Sequence, residues 1–431
     1  MAPDVMPVRI LVVGAGSRGT RLADYALRYP DEARVVAVAE PRAVYRERLS
    51  ELHGIPREGR FEDWRAALDG SRVADAVVIA TPDREHADPA IAFAERGYAM
   101  LLEKPLATTE ADCRRIVAAV ERAGVVCAVA HVLRYTPYTR LLKGLVDGGA
   151  IGEIVSIDHL EPVGFWHQAH SYVRGNWRRE DETAPMLLAK CCHDLDWLSF
   201  VVGQPCVAVS SFGGLAHFRA DRRPPGAGER CLECDVEPAC PFSARRLYLG
   251  MVERGVTGWP LDVVAWPPTE HNITRALRDG PYGRCVWACD NDVVDHQVVT
   301  LRYANGTTAT LTMTAFTRMR DRETRIFGTR GELHGDGNRI EVYDFLTGTV
   351  ARHASTVYSD GQIPTGHGGG DDGVMADFIA AAAAGDPGLM PTTPAQALES
   401  HRIAFAAEAA RREGRVVALD AGAGAAGEVA R

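Results

Sequence analysis

The sequence predicts an α/β protein whose N-terminal part is a doubly wound parallel sheet. Three observations carry this expectation. An apolar strand runs into a glycine-rich turn and then a helix; short apolar strands go on alternating with helices through the N-terminal third; and 431 residues are too many for one ordinary core. At roughly 100 to 200 residues per domain, at least two domains are expected.

The first element, "VRILVVGAGSRGT", opens with the β-branched strand Val8 to Val13. Gly14, Gly16 and Gly19 follow, then the helical pattern of Leu22 to Leu27. Such glycines let the backbone approach a pyrophosphate at a helix N-terminus, where free N–H groups and the dipole favour an anion. Ser17 and Arg18 share that turn. The next strand, "RVVAVAE", ends in Glu40, about where an acidic residue that binds an adenosine ribose is expected. A carboxylate there accepts from a 2'-hydroxyl and repels a 2'-phosphate, so NAD is favoured over NADP, a preference that Arg42 weakens. "DAVVIATPDREH" and "AIAFAERGYAMLLEKPL" supply two more strands, whose C-terminal ends carry Thr81, Pro82, His86, Glu103, Lys104 and Pro105. Ligands of doubly wound sheets bind at such ends.

A hydrophobic content of 46% and a charged content of 24% are ordinary for a soluble globular chain. A net charge of -9 with scattered arginines argues against a nucleic-acid partner. No basic, apolar and small-residue leader pattern opens the chain, and no apolar run reaches membrane-spanning length, so a cytoplasmic protein with no membrane partner is expected. In that reducing compartment the ten cysteines should be thiols or metal ligands.

"GAGSRG", "ATPDREH" and "EKPLATT", followed by "HVLRYTPYTRLLKGLVDGGAIGEI", resemble the Gfo/Idh/MocA family of NAD(P)-dependent sugar and polyol oxidoreductases. The resemblance extends through "VTLRYANGTTATLTMTAF", "IFGTRGELHG" and "AQALESHRIAFAAEAARREGRVVAL". It implies a Rossmann domain over residues 1–131 and a substrate-binding α/β domain over 132–431, built on a large open mixed or antiparallel sheet, with substrate between the two. It also implies a homodimer or homotetramer and a sugar, glycoside or cyclitol as substrate.

A helix from Leu187 to Val202 gathers Leu188, Cys191, Cys192, Leu195, Leu198 and Val202 on one side and Lys190, His193, Asp194 and Trp197 on the other. The adjacent cysteines should therefore enter packing rather than bind metal. The resemblance makes the Glu-Lys-Pro lysine, Lys104, and a helix histidine, His193, the pair that holds the oxidised hydroxyl. Removing hydride requires the hydroxyl proton to leave, which suits a base of near-neutral pKa, with a cation to stabilise the developing alkoxide. Many family dehydrogenases carry an aspartate one turn before the histidine; here that position is Ala189, and Lys190 follows it. Lys190 is either a second cation of the catalytic group or a solvated helix lysine.

"HSYVRGNWRREDETAP" reads as a long polar loop whose Arg174, Asn176, Trp177 and Arg178 suit carbohydrate, or as a plain surface loop. Arg134, Tyr135 and His167 are further substrate candidates, and His296, Asp292, Asp295 and His367 could also line the site. Cys231, Cys234 and Cys240 form a C-x2-C-x5-C set that Cys285 or Cys289 could complete, the donor set of structural zinc, within a cysteine-rich insertion near residues 215–290. Reduced thiols, a disulfide or an iron-sulfur cluster are the alternatives. Three functions follow: an NAD-dependent oxidoreductase acting on a ring hydroxyl, a redox-neutral NAD-dependent glycosidase working through a transient ketone, and a nucleotide-binding regulator without turnover.

Overall fold

The computed structural model describes residues 6–355 and 367–420. The start of the chain, residues 1–5, and Gly366 of the "GHGGGDD" turn lie outside the described residues. The chain forms two compact units, residues 1–136 with 357–399, and residues 137–356 with 400–431. The chain leaves the first unit once and later returns to it. The return has a physical cause: Val374, Met375, Phe378 and Ile379 of the helix Gly370–Ala384 share one core with Val8, Ile10 and Val12.

In the first unit the strands are β1 Val8–Val13, β2 Ala33–Ala39, β3 Arg60–Phe61, β4 Ala76–Ile79, β5 Ala99–Leu102 and β6 Cys127–Val129. They make a six-stranded parallel sheet in the order β3-β2-β1-β4-β5-β6. Ile10, Val12, Val78 and Leu101 are fully buried, as strands covered by helices on both faces must be. Chain order reverses between β1 and β4, so the turns after these strands, at Gly14 and Thr81, flank the switch point.

The second unit holds β7 Ile154–Pro162, β8 Cys206–Gly214, β9 His296–Tyr303, β10 Thr308–Thr314, β11 Glu323–Gly328, β12 Gly331–Gly335, β13 Arg339–Asp344, β14 Val350–Ala354 and β15 Val417–Ala418. They form a nine-stranded mixed sheet in the order β14-β13-β12-β11-β7-β10-β9-β8-β15. Only the β7/β10 contact is parallel. Along β9, Gln297, Val299, Leu301 and Tyr303 are buried while Val298, Thr300 and Arg302 face out, the alternation of a sheet packed on one side.

The helix Met186–Val202 packs on β7 and β10; it starts after Pro185 and ends at Gly203, whose φ of 68° needs no Cβ. Cys191 and Cys192 enter the packing as expected. The face that carries His193, Asp194 and Trp197 is buried as well, which corrects the two-faced reading. No helix among the described residues is long and apolar enough to cross a membrane.

Candidate active site

In the first unit the glycine turn is drawn as tight as glycine permits. A Cβ at Gly14 would stand 2.5 Å from the Ala80 carbonyl oxygen, and one at Gly19 would stand 1.9 Å from that of Gly14. This cradle fits a pyrophosphate. Glu40, 2% exposed, accepts from the Ala15 N–H at 2.9 Å and from Arg42 N at 2.9 Å and Nε at 2.7 Å. Burial alone would raise its pKa, but the Arg42 hydrogen bonds outweigh it and hold the carboxyl below its ordinary value. Glu40 is thus an ionised acceptor, and Arg42, stacked over Tyr45, is its partner rather than a free cation.

Ser17 begins the helix Ser17–Ala23, and the next residue, Arg18, spends its charge on the protein. Its Nε donates to Glu103 Oε1 at 2.8 Å, and its two amino groups grip Asp371 at 3.0 and 2.8 Å. Asp371 opposes burial with this guanidinium, which pulls its pKa far below the usual carboxylate range; His367 Nδ1 sits 3.1 Å from the same carboxylate. The glycine turn, the Glu-Lys-Pro loop and the returning helix are thereby tied together. Glu103 also accepts from Lys104 N. His86 is buried, with Nδ1 on the Pro105 carbonyl at 2.7 Å and Nε2 on that of Thr81 at 3.0 Å, so it staples the loop that carries Thr81 and Pro82. Both ring nitrogens of this expected cofactor contact are occupied by backbone.

His131, which the sequence did not single out as a site residue, is buried two residues beyond β6. Burial, then Arg134 and Lys104, push its pKa well below normal, so the ring is neutral. The rule that found Lys104, polar residues at strand ends, would have found it. Arg134 donates to the Pro391 carbonyl at 2.9 Å, and Tyr135, expected at the substrate, lies in the unit's core with its hydroxyl 2.6 Å from Thr392 Oγ1.

In the second unit His193 is 4% exposed on its helix, beside a buried ionic network. Lys190 Nζ lies 3.1 Å from Glu161 Oε1, Arg322 bridges Glu161 at 2.8 Å and Asp194, and Asp194 Oδ1 is 3.1 Å from His159 Nε2. His159 in turn bonds Thr324 at 2.7 Å and stacks on Trp197 at 5.0 Å, whose indole donates to Thr139 at 3.0 Å. Burial would raise the Asp194 pKa, yet Arg322 and His159 hold it far below normal. Lys190 is therefore not a solvated lysine. Glu161, His159 and Arg322 carry no local sequence signal, since strand pairing alone brings β7 beside β11 and the adjoining Arg322.

The expected polar loop is a correction. Residues 168–174 form the helical turn Gln168–Arg174, and every one of them is buried. Arg174 is 1% exposed; Asn176 is exposed and Trp177 half-buried against Tyr172. His167, half-buried, meets Trp259 of the insertion at 5.1 Å. Arg178 pairs with Asp290. Asp295 is fully buried and accepts from Ala216 and His217 N–H groups while holding His296, and Asp292 accepts from Glu180 N, so all three residues are engaged structurally. Cys231, Cys234, Cys240 and Cys285 line one small cavity, whereas Cys289 donates to the Cys285 carbonyl instead. As placed, no three His, Cys, Asp or Glu side chains among the described residues stand at metal-ligand spacing, so the zinc expectation is not met by the sulfur positions themselves.

Residues 8–131 match the oxidoreductase family model for an NAD-binding Rossmann fold, and residues 143–419 match the C-terminal α/β domain of the same family. The chain belongs to the Gfo/Idh/MocA oxidoreductase family. Among curated Gfo/Idh/MocA-like relatives, the Escherichia coli 2,7-anhydro-N-acetylneuraminate hydratase is 30% identical over 209 residues, 48% of this chain and 53% of that protein. The Bacillus subtilis scyllo-inositol 2-dehydrogenase (NAD(+)) is 28% identical over 218 residues, 48% of this chain and 58% of that one. The alignments thus span about half the length of these relatives. A levoglucosan dehydrogenase solved with NADH and levoglucosan shares the fold at a TM-score of 0.67 and 20% identity, covering 96% of this chain and 100% of that one.

Proposed function

We propose that this Gfo/Idh/MocA protein is an NAD-dependent oxidoreductase acting on a ring hydroxyl of a sugar, glycoside or cyclitol. The observation that carries the reading is Glu40, ionised and ordered beside a glycine cradle, in a chain that keeps both Lys104 and His193. NAD, when bound, supplies the hydride acceptor. Gly14, Gly16 and Gly19 give its phosphates room, Ser17 leads the helix they face, and Glu40 accepts from the ribose. His193 takes the hydroxyl proton and Lys104 stabilises the oxygen that loses it. Burial keeps competing water from His193. Lys190 acts through Glu161 and sets the charge around the helix rather than touching the reacting oxygen. Asn176, Trp177 and His167 are the candidate sugar contacts that remain reachable. A homodimer or homotetramer in the cytoplasm belongs to the same reading.

The hydratase among the relatives favours one alternative, a redox-neutral cleavage in which the cofactor is returned unchanged. Incubating the protein with NAD and a panel of sugars, cyclitols and aryl glycosides, while recording reduced nicotinamide and aglycone together, separates the two. Reduced cofactor rising in step with substrate loss supports the oxidoreductase. Aglycone release without net reduced cofactor replaces it with the glycosidase, and NAD binding without turnover on any substrate leaves a regulator.

A further inference from the structure

Arg174 poses a charge problem. Its guanidinium is buried and donates to the carbonyls of Arg284 at 2.7 Å and Phe242 at 2.8 Å, yet among the described residues no carboxylate pairs with it. Nη1 makes no aligned hydrogen bond; the neutral Tyr248 hydroxyl, 2.8 Å from His170 Nδ1, is its nearby polar neighbour and supplies no negative charge. Arg230 is similar: it donates to the Leu277 and Gly280 carbonyls, and its buried Nε has no partner. A buried cation without an anion is costly, so a native fold that keeps the Arg174 guanidinium inside, with half-buried Arg230 beside it, has an anion to offer.

Both guanidinium groups line the cavity of Cys231, Cys234, Cys240 and Cys285. Glu237, the one carboxylate in that lining, is engaged by the Ser243 hydroxyl. Two of the sulfurs already accept N–H donors, Cys231 from Arg174 at 3.5 Å and Cys234 from the Gly228 backbone at 3.3 Å.

We infer that these four cysteines bind a divalent ion of the zinc class, with Arg174 and Arg230 as its counter-cations. Four thiols each lose a proton to solvent, and four thiolates around a divalent ion leave a net charge of about -2, which two guanidinium groups balance. A change of rotamer about Cα–Cβ moves a cysteine sulfur by roughly 3 Å, the adjustment that brings the four onto one ion. Cys285 is the fourth ligand and Cys289 is not. Arg174 thereby leaves the list of substrate contacts. It joins the metal centre to the turn Gln168–Arg174, so the insertion braces the segment that carries His167 and Trp177.

The test uses the full-length protein, purified under reducing conditions. Elemental analysis should find about one zinc per chain, and Co2+ exchanged into the site should give the intense thiolate-to-cobalt and tetrahedral d–d bands of an all-sulfur set. Cys289→Ser should leave those bands unchanged and Cys285→Ser should shift or abolish them. Arg174→Met should weaken Co2+ binding about 10- to 100-fold, with Arg174→Lys recovering part of the loss. If no metal is retained and Co2+ gives no sulfur bands while all thiols titrate as reduced, or if the four cysteines prove disulfide-bonded, the inference is overturned. Bands in the wild type together with unaltered affinity in Arg174→Met would overturn the counter-cation role alone. Should Arg174→Met fail to fold, its Arg174→Lys counterpart and the wild-type titration still decide.

Discussion

Replacing Lys190 by methionine keeps the aliphatic stem and removes the charge, which separates a structural lysine from one that meets the reacting oxygen. Its ammonium lies 3.1 Å from Glu161, and Glu161 keeps Arg322 at 2.8 Å after the substitution. A hydrogen bond to a charged group contributes about 1.5–3 kcal/mol. The retained Arg322 and the 18% exposure of the Lys190 side chain reduce the expected loss to about 1–2 kcal/mol, or roughly 2–4 °C in Tm. Turnover should fall by less than about tenfold, because the proton still leaves to His193; His193→Ala should cost about 100-fold or more. Thermal denaturation and steady-state kinetics on Lys190→Met, Glu161→Gln and the double variant read both quantities. The pair should couple by about 0.5–3 kcal/mol in stability. A Lys190→Met enzyme with unchanged Tm, additive to Glu161→Gln and slowed about 100-fold, would refute the reasoning and put Lys190 at the substrate.

Other outcomes follow from the same geometry. Arg42→Ala frees Glu40 to face the ribose, so the preference for NAD over NADP should widen by about tenfold, read as the ratio of kcat/KM for the two cofactors. Gly19→Ala drives a methyl group into the Gly14 carbonyl, costing about 1–3 kcal/mol and raising the Kd for NAD, which calorimetry measures. Asp194 and Asp371 both bind their protons more weakly folded than unfolded, where a carboxyl titrates near pH 3.9. Their ion pairs therefore stabilise the fold fully above about pH 4 and are lost as pH falls toward the lower folded values. Asp194→Asn should flatten that acid limb in denaturant titrations and cost about 3–5 kcal/mol at neutral pH; an acid limb as steep as the wild type's would count against the network.

What the sequence determined by itself is what short-range chemistry dictates. The strand, the glycines at 14, 16 and 19 and the acidic residue at 40 lie within one βαβ unit, so their spacing fixes a nucleotide cradle, and the adjacent cysteines on the helix Met186–Val202 could be assigned to packing by periodicity. The tertiary structure decided everything that depends on partners far apart in the chain. Arg18 looked like a cofactor residue until Asp371 arrived from the returning helix; Lys190 looked solvated or catalytic until β7 set Glu161 beside it; Arg174 looked like a sugar contact until the insertion closed over it. Periodicity assigns a residue to a face of its own helix, but whether that face meets water or another apolar layer is fixed only by what packs against it. A buried charge is for the same reason interpretable only once its partner, hundreds of residues away, is in place.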